Sequence, residues 1–519
     1  MTGITDLPQE LISMVADYLN RKDRTRFAGT CRNHYQALIT HLWKQVHVES
    51  DFPHYGFTNV PITPVKPFIA SSRLEQYATH VNLLGLHGPF QSDHYAIKFP
   101  RLHTLMFQYD SEFHAPSNHQ GSPDTLDGTL DATMLAETHV NNANLIRLNP
   151  TIKNLQMHLR RPEFQPFADF WEAVATTLDN PNHLNITGIW GTGGDTLDSF
   201  WKACTLFQEL SLDGGQVDYT TLLPRLAFPR LQRITLNVFS IWDGRGFNIS
   251  RQVAWFRQCP NLTKLDWKTT SSILSNESFL QALEQKVWPH LEDLSLGNFR
   301  FRVDLGPMLS RLPPLRRFRL VTEVFSQFDF RVFREQLFGK IRVLDMAHSF
   351  GFSSLKALSV LEECVHLEEF KSLFIDAEEI DIKKRPWVCH GLKHLEILIL
   401  AESEESNEQA FEALSRLTNL EYMDFGPDKI TVSDIEKYLP EDYRCLQWSL
   451  DSGLERLSTL KKVRNLGFAS TEQEMMEEDL EWMLDNWPLL EEVKGEFSGD
   501  AGYHNVLVDM LKERHIAHF

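Results

Sequence analysis

The sequence predicts an α/β chain: a solenoid with short parallel strands inside and helices outside, preceded by a small three-helix unit. Three observations predict it. One apolar phrase recurs along most of the chain, it recurs at a nearly constant interval, and helical patterns fill the gaps. The clearest copy is Trp288-Pro-His-Leu-Glu-Asp-Leu-Ser-Leu-Gly297, with the core Leu291-x-x-Leu294-x-Leu296. Further copies span Phe99–Phe107, Phe228–Leu236, Cys259–Trp267, Leu312–Leu320, Leu417–Phe425 and Trp487–Val493. Weaker ones start at Val81, Ile152, Phe207, Ile341, Leu367, Leu392 and Val463. The leading positions Leu231, Leu262, Leu291, Leu315, Ile341, Leu367, Leu392 and Leu420 follow one another at intervals of 24 to 31 residues.

The end of the phrase alternates with period two, which suits a short strand with one buried face. Phe279, Leu280, Leu283 and Val287 stand at helical spacing between phrases, as do Phe411, Leu414 and Leu417. An L-x-x-L-x-L core at a period of roughly 20–29 residues is the mark of a leucine-rich-repeat solenoid. One strand and one helix cannot bury a core alone, so neighbouring repeats must stack. An ordinary α/β domain would not repeat one motif so often.

The 519 residues are 42% hydrophobic and 23% charged, the composition of a globular chain longer than a single core. No apolar run approaches the ~18 residues of a membrane span, and the N-terminus has no basic segment followed by an apolar one, so neither a span nor a secretory signal is expected. Cys31, Cys204, Cys259, Cys364, Cys389 and Cys445 are scattered, without a C-x-x-C. That spacing argues against a disulfide framework or a zinc module and for a reducing compartment, cytoplasm or nucleus. Cys259 and Cys364, placed just before repeat strands, read as small buried apolar groups. The net charge is −19. Residues 401–519 hold 27 acids and 11 bases, which concentrates most of that charge at one end. Such an end disfavours nucleic acid there and reads as a solvated acidic surface or a site for a basic partner.

Residues 1–48 stand apart. Asp6 is placed to cap a helix, with Pro8 in its first turn and Gln9 at the capping-box position. Leu7, Leu11, Ile12, Val15, Tyr18 and Leu19 make an apolar stripe. A second short helix contains Phe27, and a third carries Tyr35, Leu38, Ile39 and Leu42 and closes at Trp43. So short a unit buries little and needs a partner surface. Leu7-Pro8-x-Glu10-Leu11-Ile12, Tyr18-Leu19, Lys22-Asp23, Cys31-Arg32-x-x-Tyr35 and Leu42-Trp43 resemble an F-box, and the whole chain resembles a fungal-type F-box protein with C-terminal leucine-rich repeats. Arg24, where an aliphatic residue is usual, and His34-Tyr35, where Arg-Trp is common, depart from the pattern. The resemblance implies that the F-box docks on the Skp adaptor of an SCF cullin–RING ubiquitin ligase and that the repeats hold a protein substrate. It also implies that Leu7, Pro8, Leu11, Ile12, Val15, Leu19 and Phe27 supply the apolar adaptor contacts.

Residues 49–79 contain Pro53, Pro61, Pro64 and Pro67 and read as an extended connector, packed through its interspersed apolar residues. Residues 80–519 are the solenoid, with an inserted loop near 111–145 whose polar part is rich in breakers. His114 and His119 lie in it without further ligands. Gly188-Ile-Trp-Gly-Thr-Gly-Gly-Asp195 lacks the lysine of a phosphate loop and reads as a strand-to-helix turn. His515 and His518 have no third ligand nearby. Residues 472–487 read as an acidic helix packing Met476, Leu480, Met483, Leu484 and Trp487 on one side.

In such a solenoid the residues between the buried leucines point out of the concave strand face. Among them Arg233, Lys264, Lys268, Arg317 and Arg319 form a basic set that suits an acidic or phosphorylated segment. Asp266, Asp293 and Asp345 interleave with them, so a mixed-charge surface stands beside that reading. No catalytic constellation, metal set or cofactor motif rises above chance, and neither an enzyme nor a cofactor is expected. The alternatives are a repeat scaffold working outside any ligase and an enzyme with its site in residues 111–145.

Overall fold

The computed structural model describes residues 9–19, 21–30, 32–49, 71–87, 92–109, 132–159, 166–188, 190–192, 195–218, 226–242, 249–268, 287–297, 305–322, 325–381, 383–426, 443–469 and 471–519. The chain divides into two compact units, Met1–Leu262 and Thr263–Phe519. Each is a stack of strand–turn–helix repeats.

The first unit opens with α1 (Gln9–Tyr18), α2 (Arg21–Ala28) and α3 (Arg32–Trp43). These close over Ile12, Ala28 and Leu38, with Phe27, Tyr35 and Leu42 packed around them. The strands that follow are β1 (Gln45–Glu49), β2 (Leu83–His87), β3 (Thr104–Tyr109), β4 (Asn154–Leu159), β5 (His183–Gly188), β6 (Trp190–Thr192), β7 (Glu209–Asp213), β8 (Gly215–Asp218), β9 (Arg233–Asn237) and β10 (Ser240–Trp242). In the order β1-β2-β3-β4-β5-β7-β9 they form one wholly parallel sheet. Strands β6, β8 and β10 form a second, smaller parallel sheet.

The phrase explains the sheet. In β7, Leu210 and Leu212 are buried while Glu209, Ser211 and Asp213 are only partly covered, and β9 repeats the pattern with Ile234 and Leu236 inside. The leading leucine of each phrase sits in the turn before its strand. Leu231 N–H donates to Phe228 C=O (3.2 Å), and Gln232 N–H donates to Gln208 C=O of the preceding repeat (2.8 Å). Before Leu262 the preceding residue is asparagine, and Asn261 Nδ2 donates to Pro229 C=O (2.7 Å), one repeat back. Its side chain thus satisfies a turn carbonyl that the ladder leaves open. The helices Ala168–Thr177, Asp195–Cys204 and Ile249–Phe256 cover the other side. Their interiors stack aromatics from repeat to repeat: Trp171 meets Phe200 at 5.0 Å, and Trp201 meets Trp255 at 5.0 Å, all fully buried.

The second unit runs through β11 (Lys264–Lys268), β12 (Asp293–Gly297), β13 (Arg317–Leu320), β14 (Val343–Asp345), β15 (Glu369–Asp376), β16 (His394–Leu400), β17 (Tyr422–Asp424), β18 (Asn465–Gly467), β19 (Glu492–Lys494) and β20 (Ala517–His518). Each pairs in parallel with the next. Asn419 Nδ2 donates to His390 C=O (2.8 Å), the same repeat-to-repeat staple as in the first unit. Two buried aspartates staple repeats from the helix side. Asp329 closes a capping box with Ser326 and also accepts from Gly306 N–H. Asp479 accepts from Met476 N–H (2.7 Å) and from Leu450 N–H (2.7 Å). Cys204, Cys259, Cys364, Cys389 and Cys445 are free and buried, and burial pushes the Cys445 thiol up to about 11.

Several expectations need correction. The first strand of the sheet is β1, formed by the end of the helical unit and the first residue of the 49–79 connector. Residues 50–70 of that connector lie outside the described residues, and Ser71–Gln76 within it is a helix rather than extended chain. The insertion near 111–145 contains the helix Ala132–Leu148. Its stripe is masked because the buried side carries Thr138, His139 and Asn142 among Ala143, Leu145 and Ile146. The glycine-rich stretch holds the short strand β6 rather than a plain turn. The acidic helix is Glu477–Asn486, and Met476, its cap, is 55% exposed, while Met475 is buried instead. The polar part of the insertion, with His114 and His119, and the patterned residues Phe279, Leu280 and Leu283 lie outside the described residues.

The main strands of the first unit pass to the small sheet through left-handed backbone. Gly188 (φ 106°) and Gly214 (φ 69°) provide it, and a Cβ on either would strike a carbonyl of a neighbouring repeat. The third such position holds Val238 (φ 57°). A β-branched residue there carries a strain of roughly 1–2 kcal/mol. Val238→Gly is expected to raise stability by about 1 kcal/mol after the entropic cost of glycine, and Gly188→Ala to lower it. Thermal unfolding followed by circular dichroism checks both, and equal midpoints for the three proteins would refute the account.

Candidate functional site

Two surfaces stand out: the outer side of α1 and the polar side of the strands. On α1, Ile12 is 3% exposed and belongs to the core of its own three helices. One position away the helix turns outward. Leu11 (44%), Met14 (58%), Val15 (39%) and Tyr18 (88%) are large apolar or aromatic side chains left to solvent. They stand at i, i+3, i+4 and i+7, the spacing of one continuous helical stripe. A stripe of this kind on so short a helix is unusual for a free surface and suits an apolar partner. Leu7 and Pro8 lie outside the described residues, and Leu19 and Phe27 are half-buried. The sequence pattern placed Tyr18 in the apolar stripe but not among the adaptor contacts, and Met14 went unnoticed because the apolar set of α1 serves two opposite directions.

His34 and Tyr35 have structural work. The His34 ring is buried against Phe27 at 4.4 Å, with Nδ1 2.7 Å from Thr30 Oγ1. Tyr35 reaches forward, and its hydroxyl lies 2.7 Å from that of Tyr77. Trp43 stacks on Tyr77 at 4.3 Å, and the Arg73 guanidinium lies 5.7 Å from the Trp43 ring. Lys44 C=O accepts from Asn82 and Leu83 N–H (3.0 Å each), the start of the β1–β2 ladder. Gly85 of β2 lies beneath the His47 ring, where a Cβ would collide with it, and His47 Nδ1 is 3.0 Å from His87 Nε2. The three helices are thus locked to the first repeats by an aromatic clasp and a strand.

Residues 4–49 match the F-box-like family. No curated protein matches the chain. The F-box-like segment therefore covers α1, α2, α3 and β1, and its last strand is the first strand of the repeat sheet.

On the polar strand side, the expected basic residues are where the alternation put them, and three of the five are already paired with neighbouring acids. In the first unit Arg233 Nε lies 3.3 Å from Glu209 Oε2. In the second, Lys264 Nζ is 3.6 Å from Asp293 and Arg319 Nε 3.1 Å from Asp345. Arg317 is exposed, and the Lys268 stem lies over Gly297. Within the second unit the set is a cross-strand ladder of alternating charge rather than a continuous basic patch.

The ladder continues where the sequence reading named residues singly. Lys371 Nζ is 2.6 Å from Glu396, and His394 stacks on Tyr422 at 4.0 Å, nearly parallel. Lys494 Nζ lies 5.9 Å from the Tyr422 ring centre, and the Tyr422 hydroxyl donates to Asp424 (3.1 Å). Gly467 leaves room for that carboxylate. Past a bulge between Lys371 and Phe374, outward positions turn apolar, and Leu373, Leu398 and Leu400 pack against Cys445 as a wall beside the charged row. Burial raises the Asp293 and Asp424 carboxyls. Glu396 goes the other way: His394 Nε2 at 3.6 Å and Lys371 at hydrogen-bond distance hold it down to about 2. Because this folded value lies below the ordinary 4.5, the ionised Glu396 contributes stability above pH 4.5, and that contribution disappears as the pH falls toward 2. Glu396→Gln is expected to cost ~1 kcal/mol at neutral pH after solvent screening. The difference from the parent should vanish near pH 2 in paired denaturant titrations, and a pH-independent difference would disprove the assignment.

Proposed function

We propose that this protein is the substrate-recognition subunit of an SCF ubiquitin ligase. Its F-box-like unit binds the Skp adaptor and, through it, a cullin–RING module, while its leucine-rich repeats bind a protein substrate. The observation that carries the reading is the uncovered stripe Leu11–Met14–Val15–Tyr18 on the first helix of an F-box-like segment. Burying four large side chains against an apolar partner supplies several kcal/mol, enough for stable docking. Ubiquitin transfer then runs on other subunits in the cytoplasm or nucleus, and this chain accelerates it by positioning alone. The aromatic clasp between Trp43 and Tyr77 and the β1–β2 ladder support that role, because they hold the first repeats at a set place relative to the adaptor helix. The strand faces, with Arg233 in the first unit and Lys264, Lys268, Arg317 and Arg319 in the second, take the substrate.

The test is binding of the purified chain to a purified Skp adaptor by calorimetry. Leu11→Asp with Val15→Asp is expected to weaken binding at least about 100-fold, since it places charge in an apolar contact. The helical signal should be unchanged, because both residues face solvent. Binding that survives the double substitution, or no binding by the parent chain, would overturn the proposal.

A further inference from the structure

The polar side of the second unit is divided by charge. Strands β11 to β13 present Lys264, Lys268, Arg317 and Arg319 against Asp266 and Asp293, a net of +2. Strands β14 to β19 present six acids, Asp345, Glu369, Asp376, Glu396, Asp424 and Glu492, against Lys371 and Lys494, a net of −4. Internal ion pairs consume only part of this. Lys268 and Arg317 make no ion pair among the described residues, and Asp266 Oδ1 has no hydrogen-bond partner.

A second observation points to a ligand at the same place. Ser295 is 7% exposed, and its hydroxyl has no hydrogen-bond partner among the described residues. In register it stands between Asp266 on β11 and Arg319 on β13. Leaving a buried hydroxyl unpaired costs about 1–3 kcal/mol, a cost that a bound polar group would remove. The register extends this row in a line across the strands, from Asp266 and Ser295 through Arg319, Asp345 and Lys371 to Glu396. A line of alternating side chains one strand apart matches an extended chain better than a folded surface.

We infer that this face binds an extended peptide segment of bipolar charge, acidic residues over β11 to β13 and basic residues over β14 to β19. The inference rests on the substrate-receptor reading and narrows the substrate to this class. A uniformly acidic segment would meet like charge at β14 to β19, and a uniformly basic one would meet it at β11 to β13. From β12 to β16 is four strand spacings, about 19 Å, or about six residues of extended chain. The flat His394–Tyr422 pair offers a platform at the acidic end for the stem of an arginine or lysine.

The experiment uses the full chain and fluorescent synthetic peptides, read by anisotropy at low salt. One peptide carries a glutamate run and an arginine run with centres about six residues apart. Two others carry only glutamates or only arginines, and a glycine–serine peptide is the control. The bipolar peptide is expected to bind at least about tenfold more tightly than either uniform one, with affinity falling as salt rises. Arg317→Glu should weaken the bipolar peptide about tenfold and leave the all-arginine peptide stronger than before. Glu369→Lys should do the converse, favouring the all-glutamate peptide. Circular dichroism of both variants establishes that they fold. Equal affinity for bipolar and uniform peptides, no binding by any, or no effect of either reversal would overturn the inference. The Skp adaptor titration on the same preparations keeps the two readings apart. Adaptor binding without peptide preference sinks the bipolar face alone, while peptide preference without adaptor binding sinks the ligase reading alone.

Discussion

Everything in this structure depends on the fact that no repeat can bury its own leucines. A five-residue strand such as β7 has two inward side chains, and its helix adds a few more. That is too little apolar area to hold a chain against its conformational entropy. Stability comes from the neighbour: parallel strand pairing, a staple such as Asn261 to Pro229, and stacked aromatics such as Trp201 on Trp255. Each of these links joins a repeat only to its neighbour, which is the physical content of a one-dimensional assembly.

The three-helix unit meets the same constraint at a smaller scale. Its core of Ile12, Ala28 and Leu38 is scant. The structure resolves this by making its last segment a strand of the sheet and by clasping Trp43 against Tyr77. The stripe on α1 remains outside that arrangement. Its four exposed side chains are the part of the F-box-like surface that intramolecular packing leaves unclaimed.

Much of the fold could be read from the residues because period-two alternation after a fixed leucine is an unambiguous physical code. The inward and outward assignments of Glu209 through Asp213, Arg233 through Asn237 and Lys264 through Lys268 agree with the structure residue by residue. Where reading failed, a second force had overwritten the code. Thr138, His139 and Asn142 sit in a buried helix face and disguise it as a polar loop. Val238 occupies backbone that glycine would adopt without strain. On α1, one apolar set is shared between an inner side at Ile12 and an outer one at Leu11, Met14, Val15 and Tyr18, a division that sequence spacing could not make. The charged face was legible in its members but not in its pairing, since which acid meets which base depends on register across strands far apart in the chain.

One residue, Lys44, separates the last residue of α3 from the first of β1, and its carbonyl begins the ladder. A hinge needs torsions that can turn without breaking hydrogen bonds, and this joint has almost none. It acts like the zero mark of a ruler. Each repeat of the first unit then adds a strand spacing of about 4.8 Å measured from that mark. Lengthening the chain by even one residue at Lys44 would not merely loosen the joint. It would turn the alternation of β1 over, exchanging the buried Val46 and Val48 with His47, and displace the origin from which every later repeat is counted.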